Sequence, residues 1–153
     1  MLRGLLIRAI ARSAMHFEGA SLNLYKKMME KTKTPRMKEL LKTLAEEEEK
    51  HISHLEELLQ GAPAQERDRW AEKETGRAAA EVFAGKELEH EIEACDFLKR
   101  IIDFEETTEA FYRLAGSRTP IPAARKAFEL LAEDERRHAQ VLHAEFDSLG
   151  CKP

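Results

Sequence analysis

Apolar side chains recur every three to four positions over four long stretches of this chain, the spacing of helices that bury one face. The first stretch, about residues 2–32, carries Ile10, Ala14, Glu18, Leu22, Tyr25 and Met29 on one stripe. The second, about 35–60, carries Met37, Leu41, Leu44, Glu48, His51, Leu55 and Leu59. Thr34-Pro35 reads as its cap and first turn, and Gly61-Ala62-Pro63 as its stop. The third, about 94–116, presents Phe97, Leu98, Ile101, Glu105, Thr108 and Tyr112 and should end at Gly116-Ser117. The fourth, about 121–149, follows Pro120-Ile121-Pro122 and carries Ala124, Phe128, Leu131, Glu135, His138, Leu142 and Phe146. Residues 61–93 differ: Gln65 to Gly76 is mostly charged, with Trp70, and Gly76 and Gly85 interrupt any helix there. The connections are thus short, long, short. That order predicts an all-α fold: a hairpin over 2–60, a crossover over 61–93 and a hairpin over 94–149. Together they make a four-helix bundle forming one domain, residues 1–153.

Charged residues lie on the apolar stripes, and they repeat. Phe17-Glu18, Tyr25, Glu48 and His51 recur 87 residues later as Phe104-Glu105, Tyr112, Glu135 and His138. In each copy the lone Glu precedes the Glu-x-x-His by 30 residues, and Pro35 has its counterpart in Pro122. Positions i and i+3 share a helix face, so each Glu-x-x-His points a carboxylate and an imidazole inward together. A bundle would bring four carboxylates and two imidazoles towards one axis. Four buried anions need a counter-charge, and two divalent cations would supply it. Oxygen-rich ligation with one imidazole per metal suits iron or manganese, with zinc also compatible. The expected ligands are Glu18, Glu48, His51, Glu105, Glu135 and His138. Tyr25 and Tyr112, two turns past the lone Glu, could hydrogen-bond a ligand carboxylate or simply pack. Glu109, four residues after Glu105, is either an extra carboxylate near the site or a surface charge.

Spacing alone is not sufficient. Glu57 stands 30 residues before a further Glu-x-x-His, Glu87 to His90. Glu57, however, falls half a turn off the Glu48 face, the Gly61–Pro63 break intervenes, and the flanking Phe and Tyr are missing. Glu46, Glu47 and Glu49 read as surface charge, and His16, His54 and His143 fall off the pattern.

Composition narrows the classes. Charged residues make up 35% and the net charge is −4, so no basic surface for nucleic acid is expected. No 18-residue apolar span occurs, so no membrane crossing is expected. Arg3, Arg8 and Arg12 interrupt the apolar N-terminus at helical spacing, which reads as helix in preference to a secretory signal. Cys95 and Cys151 form no Cys-x-x-Cys pair, which argues against a disulfide framework or a thiolate-iron module. Cys151 reads as an idle exposed thiol, Cys95 as a small residue at a helix edge, and a reducing, cytoplasmic compartment as the default.

The combination resembles the rubrerythrin branch of the ferritin-like superfamily. The resemblance rests on Phe17-Glu18 with Tyr25, Leu44-Ala45-Glu46-Glu47-Glu48 with His51, Phe104-Glu105 with Phe111-Tyr112, and Leu131-Ala132-Glu133-Asp134-Glu135 with His138. It implies a ferritin-like diiron domain that reduces hydrogen peroxide or dioxygen in oxidative-stress defence. It also implies a homodimer, sometimes formed by exchanging helix pairs. Two departures stand out. The paired Cys-x-x-Cys motifs of a rubredoxin domain are missing, so the resemblance is to rubredoxin-less members served by a separate, rubredoxin-like electron donor. Rubrerythrins also tend to carry an extra carboxylate one turn after the third-helix Glu, where this chain has Thr108. The remaining six-ligand set is closer to bacterioferritins and diiron oxygenases. That leaves two competing expectations: a ferroxidase that stores or delivers iron, and a diiron hydroxylase, the latter disfavoured by the mean hydropathy of −0.54.

Overall fold

A computed structural model describes residues 2–59 and 94–153, with side chains from residue 7 onward. The described residues are all-α, in four helices and with no strand among them: α1 (Leu2–Lys31), α2 (Pro35–Leu58), α3 (Ala94–Arg118) and α4 (Pro122–Ser148). The expected crossover, its Gly61–Pro63 stop and the Glu87/His90 decoy lie outside the described residues. None of the described helices is long and apolar enough to cross a membrane. The chain divides into two compact units, Met1–Glu89 and His90–Pro153, each built on one helical hairpin.

In the first unit α1 packs against α2. Pro35 occupies the first turn of α2, where its missing N–H costs nothing. Thr34 sits in extended conformation before it but makes no side-chain cap; the Lys38 N–H donating to the Thr34 carbonyl at 3.0 Å closes the turn. All seven apolar-stripe positions expected on α2, from Met37 to Leu59, are buried. On α1 the buried stripe is Ile7, Ala11, Ala14, Glu18, Ser21, Tyr25 and Met28, while Ile10, Leu22 and Met29 are only half-buried. Steps of four alone drift about 40° each around a 3.6-residue helix, whereas alternating fours and threes hold one face. The expected stripe therefore met the true one at Ala14, Glu18 and Tyr25 and left it elsewhere.

In the second unit α3 packs against α4. Phe97, Leu98, Ile101, Ile102, Phe128, Leu131 and Leu142 form its core. Gly116 does not stop α3, contrary to the sequence expectation. It lies inside the helix, buried, where an added Cβ would stand 3.5 Å from Glu129 Cγ and 3.8 Å from Phe128 Cβ. The stop falls at Thr119, whose hydroxyl donates back to the Ala115 carbonyl at 2.6 Å. The Arg125 guanidinium donates to the Thr119 carbonyl at 3.1 Å and braces the turn into α4. At its far end α4 closes on Gly150, at φ 68° in the left-handed region that glycine adopts without a Cβ penalty. Gly150 N–H donates to Asp147 O and Cys151 N–H to Phe146 O, at 3.0 and 3.2 Å, the paired bonds of a Schellman cap.

That cap turns the chain back onto the start of α3, and Cys151 is disulfide-bonded to Cys95 across a Cα separation of 5.5 Å. The expectation of two unpaired thiols is overturned, and with it the cysteine-based ground for a reducing compartment. Cys95 lies in the first turn of α3 and Cys151 just past the end of the antiparallel α4, at similar distances from the α3–α4 turn. Hairpin geometry thus brings together residues 56 apart in sequence.

Candidate metal centre

Each hairpin buries one triad of two carboxylates and an imidazole. In the first unit Glu18 comes from mid-α1, and Glu48 and His51 from successive turns of α2; none is more than 3% exposed. His51 Nδ1 lies 3.1 Å from Glu18 Oε2 and 3.3 Å from Glu48 Oε2. In the second unit α3 supplies Glu105, and α4 supplies Glu135 and His138, all equally buried. His138 Nδ1 lies 3.8 Å from Glu105 Oε2 and 3.6 Å from Glu135 Oε2. Within each triad the donor atoms fall within 4.8 Å of one another. In both hairpins the same ring nitrogen faces both carboxylates, so the two copies repeat in geometry as well as in spacing.

The donor set fits a divalent cation. Even a doubly protonated imidazole brings one positive charge against two carboxylates, and no Lys or Arg is buried among the described residues. With both carboxylates ionised, each triad would be anionic in a place where water cannot compensate. One divalent ion per triad would reverse that deficit, and oxygen donors with one nitrogen suit iron or manganese.

The remaining candidates separate. Tyr25 and Tyr112 are fully buried on α1 and α3, and the Tyr112 ring stacks on Phe128 with centroids 6.2 Å apart. Glu109 is not brought to the triad: its carboxylate is held by the Arg113 guanidinium at 2.7 Å, on a side chain 19% exposed. Glu109→Gln should therefore leave metal stoichiometry unchanged in a titration and alter stability by less than about 0.5 kcal/mol. A lost equivalent of metal would instead make Glu109 a ligand. Glu46 and Glu49 are exposed, Glu49 pairing with Lys26 of α1 at 2.8 Å, and Glu47 is half-buried. His54 and His143 are exposed and His16 half-buried. None of these three joins a metal-capable group among the described residues.

Two features went unread in the sequence. Ser21 is the register partner of Thr108: both are 1% exposed and stand three residues after the lone Glu. The 87-residue offset would have found it. Thr108 donates to the Phe104 carbonyl at 3.0 Å. Glu145, seven residues past His138 on the same face of α4, is a further buried carboxylate, where the first hairpin has Leu58. An acid flanked by Leu142 and Phe146 carried no repeat to single it out.

A family model described as Rubrerythrin matches residues 96–152, which hold nearly all of α3 and all of α4. Over these residues the second hairpin is similar to the rubrerythrin family. The rubrerythrin match covers Glu105, Tyr112, Glu135 and His138 and stops short of the first hairpin. There the triad rests on the internal repeat and on its own buried geometry. No curated protein and no solved structure matches the chain.

Proposed function

We propose that the two triads join in one dinuclear site within a single ferritin-like domain. In this reading the protein is a diiron-carboxylate oxidoreductase of rubrerythrin type that reduces hydrogen peroxide or dioxygen. The observation that carries this reading is the repeated buried triad, one copy of which lies inside the rubrerythrin match. Bound iron would supply the two electrons that take the O–O bond of peroxide to water. The chain's own residues would do the rest. Glu18, Glu48, Glu105 and Glu135 hold the cation charge, and His51 and His138 present Nδ1 as the nitrogen donors. Burial of all six keeps bulk water from competing for those positions. A separate, rubredoxin-like protein is the proposed electron donor, and oxidative-stress defence as a homodimer is the matching role.

One observation favours a second reading. Thr108 and its partner Ser21 put short hydroxyls one turn past Glu105 and Glu18, where the first would be a carboxylate in typical rubrerythrins. A ferroxidase that stores or delivers iron needs no such carboxylate.

Two measurements test both. Protein purified from its own host should carry two metal ions per chain; less than one would remove the dinuclear site. Stopped-flow mixing of the ferrous protein with peroxide should oxidise it much faster than free ferrous iron. Equal rates would end the peroxidase reading. Fast reaction with dioxygen and uptake of many irons per chain would favour the ferroxidase.

A further inference from the structure

We propose that Cys95–Cys151 is an exchangeable clasp, opened by a dithiol reductant, whose state sets how tightly the Glu105/Glu135/His138 triad holds metal. The metal part of this inference rests on the function proposed above; the exchange part does not.

Three observations carry it. The bond lies at the open end of the second hairpin, and both cysteines are half-buried, within reach of a partner thiol. It is absent from the repeat: the positions 87 residues earlier are Arg8 and Ala64, so the first hairpin is built without it. The second hairpin also has its own core in Phe97, Leu98, Ile101, Phe128 and Leu142, which the clasp does not contribute to. An open clasp thus leaves a folded hairpin with looser helix ends. Cys95 stands ten residues before Glu105 on α3, roughly 15 Å along the helix, and Cys151 follows the Schellman cap that ends α4. Both ligand-bearing helices of this triad are tied at one point, and neither helix of the other triad is.

The exchange balances. One thiolate of the partner dithiol attacks a clasp sulfur, forming a mixed disulfide and releasing the other cysteine as a thiol. The partner's second thiol then displaces the first sulfur. The clasp gains two electrons and two protons, and the partner leaves as a disulfide.

The test uses the full chain with dithiothreitol as the dithiol, and Cys95→Ser/Cys151→Ser as the permanently open form. Thiol titration under native conditions should rise from near zero to two per chain on reduction, with helical content retained. The melting temperature of the metal-free chain should fall by roughly 10 °C. In a cobalt titration one of two equivalents should weaken about tenfold in both the reduced chain and the double variant. Thiols already free in air-purified protein would overturn the proposal. So would a bond that resists dithiothreitol until the chain unfolds, or equal weakening of both equivalents. A chain that binds no cobalt in either state refutes the metal coupling, while titre and melting still decide the exchange.

Discussion

Glu135→Gln is expected to stabilise the metal-free chain and, in the same protein, to reduce its metal capacity from two ions to one. Glu135 is fully buried, with Glu105 and His138 donor atoms within 4.8 Å. The amide keeps the shape and hydrogen-bonding capacity of the side chain and removes one ionisable carboxylate from a triad that sets two against one imidazole. Relief of that burden should raise unfolding free energy by about 1–3 kcal/mol. An amide is also a poor substitute for an anionic ligand, so the ion held by this triad should be lost. Urea unfolding of the apo chain, paired with a cobalt titration, reads both effects. A polar core that is merely hydrogen-bonded would behave oppositely: the substitution would destabilise it, and no cobalt would bind before or after. The opposed signs separate a binding site from a structural network, because a site keeps charge that its metal-free fold would do better without.

Phe128→Ala should be the most damaging single truncation of the second hairpin, at about 3–5 kcal/mol. The ring is fully buried, stacks on Tyr112, and lies one turn before Leu131 on the face that leads to Glu135. Its loss removes a large apolar area and leaves a cavity between α3 and α4 that rigid helices cannot close. Equilibrium urea denaturation of the apo chain measures the loss, and a value below about 1 kcal/mol would mean the hairpin core does not depend on this contact. The triad residues themselves are untouched, so the folded fraction should still bind two cobalt ions.

The helices and the triads were legible because both follow from one periodicity. On α2, α3 and α4 every stripe position read from spacing is buried. The six carboxylate and imidazole residues were found because they interrupt those stripes twice at the same offset. What escaped depends on contacts that no local window contains. Gly116 looks like a stop, but packing against Phe128 and Glu129 carries the helix through it. The cysteine pair is invisible to spacing rules because hairpin antiparallelism and a left-handed Gly150 make it. Glu109 shows the converse. Its position beside Glu105 was right for a ligand, and an arginine one turn along claims it instead.

The alternation of fours and threes from Ile7 to Met28 has a consequence for length. Residues on α1 reach the buried face by angular phase, so one deleted residue turns everything beyond it by about 100° and carries Glu18 or Tyr25 to the rim. A gain or loss of seven shifts the phase by only about 20°. Among descendants of this chain, insertions within α1 should therefore survive in whole sevens, a reading frame written in side-chain direction rather than in codons.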